Sequence, residues 1–163
     1  MTTLHWSKEL ELDMPAMDQT HREFVELLGQ VEDAKDAQLL DIWKDMIAHT
    51  HEHFAQEDRW MEATGFSVGN CHSTQHKVVL DIMREGLARA QAGDLTMIRG
   101  MAPELASWFS YHAKTMDAAL AKHMQAVGFD VVSGQISNAA GLPQEAIHGC
   151  GGACSTPDDR IAV

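Results

Sequence analysis

Apolar residues recur along most of this chain at the three- and four-residue spacing of amphipathic helices. The first such pattern follows Asp18, a possible helix cap, and runs to about Ala37. The second begins at Leu39 and continues to Thr64-Gly65, where the glycine is a typical helix stop. This second pattern is the longest uninterrupted one and predicts the longest helix.

Two further patterns complete a set of four. The third follows a loop that ends at Asn70, another possible cap, and continues to Ala92-Gly93. The fourth ends just before Gly128, and we expect Gly100 and Pro103 to kink or break its first part. Four long helices, short loops and no convincing strand predict an all-α protein, an antiparallel up-down-up-down four-helix bundle.

Both ends of the chain differ from the helical patterns. The first sixteen residues include Trp6 and several aliphatic side chains, which favours an N-terminal arm packed across the domain. After Asp130, glycine and proline punctuate a run of small and polar residues that cannot bury much apolar surface. We therefore divide the chain into a bundle domain, residues 1–130, and a mobile or loosely docked low-complexity tail, residues 131–163.

Charge and composition narrow the functional classes. The formal net charge of −12 argues against nucleic acid and against anionic membrane surfaces as partners. No signal peptide or long apolar stretch is visible, so we expect a cytoplasmic protein that does not insert into membranes. The three cysteines, an odd number, favour reduced thiols over a disulfide framework. Cys150 and Cys154 in the tail leave three interpretations open: a redox disulfide, a soft-metal clip or two idle thiols.

Histidine is unusually frequent, with ten residues in the chain. His53 and Glu57 are four residues apart, so both project from one face of the second helix. His72 and His76 form a second such pair on the third helix. Because buried histidine and glutamate need partners, a metal ion in the core would satisfy all four side chains.

Every predicted helix carries at least one residue of this kind. In chain order the candidates are His21, His53, Glu57, His72, His76, His112 and Asp117. His112 and Asp117 are five residues apart, which places them about 140° apart on an ideal helix. We therefore predict a local widening there, such as a π-bulge. His49, His51 and Asp58 lie close in sequence to this set but are not expected to bind metal, and Asp58 should be solvated.

Five stretches of the chain together resemble the hemerythrin family, over a match from about Trp6 to Asp130. They are Trp6, Asp18-Gln19-Thr20-His21, His53-x3-Glu57, His72-x3-His76 and Trp108-x3-His112-x4-Asp117. The resemblance implies a non-haem diiron centre, two iron ions bridged by an oxo or hydroxo group. It further implies that three histidines hold one iron, two hold the other, and two carboxylates bridge both. Carried over to this chain, the three histidines on one iron are His72, His76 and His112, and the two on the other iron are His21 and His53. The bridging carboxylates are those of Glu57 and Asp117.

The resemblance also implies a function, the reversible binding of dioxygen at an open position on the second iron. By position, the apolar pocket around it would comprise Phe24, Phe54, Trp108 and Ala113. Family members often carry a bulky aliphatic residue where this chain has Ala113, so we expect looser sealing and faster autoxidation. We expect a nonenzymatic oxygen carrier, store or sensor that serves an oxygen-consuming enzyme. The alternative is a diiron redox enzyme that reduces peroxide, dioxygen or nitric oxide with electrons from a reductase.

Overall fold

The structure is a computed structural model that describes residues 4–149. Within that range the chain is helical, with no strand and only two isolated β-bridges. The α-helices are α1 (Pro15–Asp33), α2 (Asp36–Ala63), α3 (Cys71–Gln91), α4 (Thr96–His112) and α5 (Ala118–Val127). A π-helical turn, Ala113–Asp117, joins α4 to α5, so these three segments form one long rod.

The helices close into a bundle. α1 packs on α2, α2 on α3, α3 on α4, and α4 back on α1. The loops between α1, α2, α3 and α4 are short, so each of these helices runs antiparallel to the one before it. The predicted all-α four-helix bundle is confirmed, and α2 is the longest helix, as its pattern predicts.

The helix cap predicted at Asp18 is not observed, and of the kink or break predicted in the fourth helix the break does not occur. Asp18 does not cap α1, which begins earlier, at Pro15; its carboxylate instead accepts hydrogen bonds from the backbone N–H groups of Leu12 and Met14. α4 is not broken, because it continues through Gly100 and Pro103. Pro103 forfeits one backbone hydrogen bond, and burial of apolar side chains on both sides of it offsets that loss.

The core consists of two apolar clusters separated by polar side chains. One surrounds Phe24, Phe54 and Phe109, and the other surrounds Trp60 and Leu120. Along α1, α2 and the long rod, the candidate metal ligands lie between residues of the two clusters. The bundle therefore buries a polar layer in the middle of an otherwise apolar core.

The segments outside the bundle pack on it. In the N-terminal arm, Leu10 is buried and Trp6 is partly buried beneath the Arg22 guanidinium, 5.4 Å from the ring centroid. Residues 131–149 are irregular apart from the turn Ala139–Gly141. Cys150 and Cys154 lie outside the described residues. None of the helices in residues 4–149 is both long enough and apolar enough to cross a membrane.

Candidate metal centre

The structure brings all seven candidate side chains together in the polar layer of the core. α1 supplies one histidine, α2 a histidine and a glutamate, α3 two histidines, and the long rod a histidine and an aspartate. Each of the seven is at most 3 % exposed. They are His21, His53, Glu57, His72, His76, His112 and Asp117.

Glu57 divides its two carboxylate oxygens between two sets of histidines. Its Oε1 lies 2.9 Å from His53 Nε2 and 3.5 Å from His21 Nε2. Its Oε2 lies 3.4 Å from His72 Nε2 and 3.3 Å from His76 Nε2. Each oxygen thus faces a different set, as in a carboxylate that bridges two cations.

Asp117 divides its oxygens in the same way. Oδ2 lies 3.1 Å from His21 Nε2, whereas Oδ1 lies 3.0 Å from His72 Nε2 and 3.1 Å from His112 Nε2. The two carboxylates therefore lie between a pair of histidines, His21 and His53, and a trio on the other side. We call these the two-histidine group and the three-histidine group.

The π-helical turn explains how His112 and Asp117 reach one site. A regular helix would place residues five apart on different faces, whereas a turn with i→i+5 hydrogen bonds brings them onto the same side. The predicted π-bulge is confirmed.

The seven side chains meet the geometric requirements of a metal site. Atoms bound about 2.1 Å from one metal ion lie about 3 to 4 Å from each other. One set of ligands consists of Glu57, Asp117 and the three-histidine group, and its ligand atoms lie within 4.8 Å of one another. A second set consists of Glu57 and the two-histidine group, and its ligand atoms also lie within 4.8 Å of one another.

Two further contacts favour a cation here. His76 Nε2 and His112 Nε2 face each other at 3.1 Å, and in a neutral pair at most one hydrogen can lie between them. Glu57 Oε2 and both oxygens of Asp117 are buried without a hydrogen bond of good geometry. Buried polar atoms are nearly always satisfied, and a cation between them would satisfy all of these at once.

Comparison with known proteins agrees with this geometry. A family model described as the hemerythrin HHE cation binding domain matches residues 13–124. The chain belongs to the hemerythrin family. The matched range contains all seven candidate ligands and ends before the C-terminal segment.

Relatives of this hemerythrin cover most of its bundle. A bacteriohemerythrin of Ralstonia nicotianae is 40 % identical over 117 residues, which is 72 % of this chain and 85 % of the relative. A bacteriohemerythrin of Stenotrophomonas maltophilia is 27 % identical over 130 residues, 77 % of this chain and 84 % of the relative. One of Pseudomonas aeruginosa strain UCBPP-PA14 is 26 % identical over 124 residues, 72 % of this chain and 79 % of the relative. No solved structure matches the chain.

The electrostatics of the hemerythrin site favour cation binding. Burial alone would lower the pKa of His21, but the neighbouring carboxylates of Asp117 and Glu57 outweigh it and raise the pKa to about 10. Burial would raise the pKa values of Glu57 and Asp117, yet the surrounding imidazoles hold both well below their usual range. Without metal, the site therefore keeps its carboxylates ionised and holds a proton on His21. A metal ion would take the place of that proton.

Two residues that support the three-histidine group were not predicted from the sequence. Asp58 Oδ1 lies 3.4 Å from His76 Nδ1, and Gln75 Oε1 lies 3.3 Å from His112 Nδ1. Such outer partners fix the orientation of a ligating imidazole and its tautomer. Asp58 is 46 % exposed, so the prediction that it is solvated captures only part of its role. Its position next to Glu57 in the chain is the only sequence signal for it.

The two-histidine group lacks such support. The Nδ1 atoms of His21 and His53 have no hydrogen-bond partner among residues 4–149. Aromatic rings surround them instead, since Phe109 meets His21 edge-on at 5.1 Å and stacks on Phe24 at 4.5 Å. The two groups therefore differ in ligand number and in surroundings.

The four predicted pocket residues lie on both sides of the site. Phe24 lies 6.2 Å from His53, centroid to centroid, on the two-histidine side. Phe54 stacks on His76 at 3.9 Å and Trp108 stacks on His112 at 4.4 Å, so both cover the three-histidine side. Ala113 is fully buried. Phe109, which sequence reasoning missed, precedes His112 by one helical turn and could have been found from that spacing.

The other two histidines of α2 lie outside the site, as predicted. His49 Nε2 pairs with Glu23 Oε2 at 3.2 Å, and His51 is exposed beside Glu52. The expectation of reduced thiols is wrong for Cys71, which is disulfide-bonded. Cys71 is the first residue of α3.

Proposed function

We propose that this hemerythrin holds two iron ions and binds dioxygen reversibly. The observation that supports the proposal most directly is the pair of unequal histidine groups with two shared carboxylates. Imidazole and carboxylate ligands also suit other first-row metals, so the choice of iron follows the family resemblance. The cytoplasmic location predicted from the sequence remains part of the proposal.

The unequal groups give the two metals different roles. Together with two carboxylates, three histidines leave little room at one metal, whereas two histidines leave a position for a small ligand at the other. When bound, the iron pair would supply the electrons that dioxygen needs to bind. Phe24 and Phe109 close the two-histidine side with apolar surface, and this surface would exclude water and admit a small uncharged molecule.

Optical spectroscopy on the reconstituted protein tests the proposal. The full chain is loaded with ferrous iron without oxygen, its metal content is measured, and the spectrum is followed through cycles of oxygen and vacuum. We expect two iron ions per chain and an absorption change that appears with oxygen and reverses on its removal. A matched His53→Ala variant should lose the oxygen response, because it lacks half of the two-histidine group.

The competing proposal, a redox enzyme, predicts a different result in the same apparatus. With a reductant and peroxide, dioxygen or nitric oxide present, an enzyme would consume them steadily. Steady turnover without a reversible oxygen spectrum would overturn the carrier proposal. A chain that binds no iron would overturn both.

Ala113 offers a test of how well the pocket is sealed. It is fully buried in the apolar cluster around Phe24, so a larger side chain there fills space near the centre. We expect Ala113→Ile to slow autoxidation, measured as the decay of the oxygen-dependent absorption. Because added methylenes can cost about 1–3 kcal/mol of stability through overpacking, thermal unfolding is measured in parallel. A decay that is no slower in a folded variant would count against the role of Ala113.

A further inference from the structure

A pair of polar side chains bridges the groove between α1 and α2 beside the two-histidine group. His49 Nε2, on α2, lies 3.2 Å from Glu23 Oε2, on α1. We propose that this His49–Glu23 pair is a gate through which small molecules reach the two-histidine group, and that the charge of Glu23 favours uncharged molecules over anions. The inference rests on the proposed function, because it needs a metal ion that takes up a small ligand there.

The aromatic rings that contact the two-histidine group are buried except at His49. Three of these rings belong to phenylalanines that are each at most 2 % exposed, namely Phe24, Phe54 and Phe109. The fourth ring, that of His49, lies 6.1 Å from His53, centroid to centroid, and its side chain is 17 % exposed. Of these four rings, His49 alone therefore lies between a metal ligand and solvent.

The His49 ring is held in place from its outer side. A carboxylate can only accept a hydrogen bond, so His49 Nε2 carries the hydrogen in the contact with Glu23. Burial lowers the pKa of His49, so the ring is neutral near neutral pH and its other nitrogen, Nδ1, is a bare acceptor. That Nδ1 is buried and has no hydrogen-bond partner within residues 4–149. The described part of the core therefore offers the ring no polar contact that would keep it closed.

Opening this gate disturbs only side chains at the surface. Glu23 is 46 % exposed, and its other oxygen accepts a hydrogen bond from the exposed Gln19 at 2.9 Å. When the His49 ring swings toward solvent, it loses the hydrogen bond with Glu23, and water satisfies its Nδ1. A single hydrogen bond at the surface contributes little net free energy, so the ring can open without any movement of the helices.

A second polar contact bridges the same groove on the other side of the two-histidine group. Thr20 Oγ1 lies 3.5 Å from Gln56 Oε1, at the limit of a hydrogen bond, and donates at the shorter distance of 3.0 Å to the carbonyl of Ala16. This contact contains no ring that packs on the group. We therefore place the gate at His49, and Gln56 serves as the control for entry at the other contact.

Glu23 gives the gate a negative charge. The hydrogen bond from Gln19 holds the pKa of Glu23 below its ordinary value, so its carboxylate is ionised near neutral pH. The neutral ring of His49 does not compensate this charge, and the net charge of −12 on the chain adds to the repulsion of anions. Behind the gate, Phe24 and Phe109 present apolar surface. Gate and pocket therefore select the same class of ligand, a small uncharged molecule.

The kinetics of ligand binding test the gate. Dioxygen association with the ferrous protein and dioxygen dissociation from it are measured by stopped flow for wild type, His49→Ala and Glu23→Ala. A gate lies on the path in both directions, so it changes both rates by the same factor and leaves Kd unchanged. We expect each variant to raise both rates by about twofold to tenfold, the effect of losing one hydrogen bond. Because Glu23→Ala changes only a surface side chain, the test does not depend on how His49→Ala folds.

Two control variants fix the position of the gate. His51→Ala removes an exposed histidine two residues further along α2 and should match wild type. Gln56→Ala opens the other polar contact of the groove and should also match wild type. Faster rates in Gln56→Ala but not in His49→Ala would place the entry at that other contact and overturn the proposal.

The remaining outcomes separate the gate from the proposed function. Unchanged rates in His49→Ala and Glu23→Ala, with normal dioxygen binding in wild type, would overturn the gate alone. A changed Kd in both variants would mean that the pair acts on the metal centre and not on the path to it, and this too would overturn the gate. A wild-type protein that takes up no dioxygen would overturn the proposed function and the gate with it.

Azide, a small anion that binds ferric iron, tests the selection by charge. Glu23→Gln keeps an oxygen that can accept from His49 but removes the negative charge. We expect azide to enter the oxidised protein about fivefold faster in this variant at low salt, and the difference should shrink as salt is added. The dioxygen rates should stay at the wild-type values. Equal azide rates in the variant and in wild type would overturn the selection by charge.

Histidine side-chain NMR tests the gate without iron or dioxygen. The protein is loaded with zinc, which imidazole and carboxylate ligands also suit, and exchange of the His49 Nε2 hydrogen with water is measured. Glu23→Ala should speed this exchange, because the ring loses its outer anchor, whereas Gln56→Ala should leave it unchanged. An exchange rate that does not respond to Glu23→Ala would show that Glu23 does not hold the ring, and the gate would be rejected.

Discussion

At the scale of single residues, Glu57 is one of the two carboxylates that lie between the two histidine groups. It belongs to both groups of atoms that can hold a metal ion, whereas His53 belongs only to the smaller one. Glu57→Gln keeps the volume but removes the bridging charge, so we expect loss of metal from both positions. His53→Ala should remove about half of the bound metal. Metal analysis of the purified variants distinguishes the two results. If both variants lose the same amount of metal, the idea of two separate metal positions that share Glu57 is contradicted.

Asp58 should act through His76 rather than on the metal. Its carboxylate contacts the far nitrogen of that imidazole at 3.4 Å, and losing such a partner typically weakens metal binding by about 10- to 100-fold. We therefore expect Asp58→Asn to retain the metal but to release it to a competing chelator at lower chelator concentration. Glu62→Gln, an exposed change on the same helix, is the matched control and should behave like wild type.

The residues of the site differ in how predictable they were from sequence. His53 with Glu57 and His72 with His76 are each four apart, so helical periodicity alone puts each pair on one face. Asp58 and Gln75 could not be identified in this way. Whether a side chain next to a ligand turns toward the neighbouring helix depends on how the two helices are rotated against each other, and tertiary packing sets that rotation.

At the scale of secondary structure, α3 depends on its cap. Asn70 is buried, accepts a hydrogen bond from the N–H of Ser73 at 3.0 Å and donates one to the carbonyl of Ser67 at 3.0 Å. Asn70→Ala removes the cap and should lower the free energy of unfolding by about 0.5–2 kcal/mol, measured by urea unfolding. Asn70→Asp restores only the acceptor, so it should recover the part of the loss due to the cap. If Asn70→Asp recovers none of the lost stability, the loss comes from the hydrogen bond to the Ser67 carbonyl and not from the cap.

The long C-terminal rod shows where local sequence rules succeed and fail. The five-residue step from His112 to Asp117 predicted a π-bulge, because both residues had to face one site. Of the kink or break expected at Gly100 and Pro103, the break did not occur. Propensity is a weak preference of a few kcal/mol at most, and burial of Ile98, Ala102 and Leu105 on the packed face overrides it here.

At the scale of the whole molecule, the pattern of apolar residues was sufficient to predict the bundle, because four amphipathic helices with short loops have few ways to pack. The path of residues 131–149 was not predictable, since it rests on backbone hydrogen bonds to the α2–α3 connection that leave no periodic signal. The Cys71 disulfide was missed for the same reason. Sequence spacing says nothing about cysteines that meet only after the chain has folded.

The buried charges make stability and metal binding depend on pH in opposite ways. In the metal-free protein the pKa of His21 is raised to about 10, so its stabilising contribution is complete below about pH 6.5 and is lost as the pH rises through about 10. The lowered pKa values of Glu57 and Asp117 stabilise the fold above about pH 4.5, and that contribution disappears as the pH falls. The metal-free protein should thus be most stable in mildly acidic solution.

Metal binding should shift this optimum toward higher pH. A metal ion on His21 must displace its proton, so binding releases protons and strengthens as the pH rises. We expect the increase in Tm caused by a saturating divalent metal to grow as the pH rises from about 6.5 toward about 10, because His21 in the metal-free protein keeps its proton up to its raised pKa of about 10. Calorimetry in buffers of different ionisation enthalpy should count the released protons directly. His21→Gln removes the competing proton, so its metal-induced shift should be smaller and depend less on pH. A wild-type shift that is the same across this range would show that His21 carries no proton in the metal-free site.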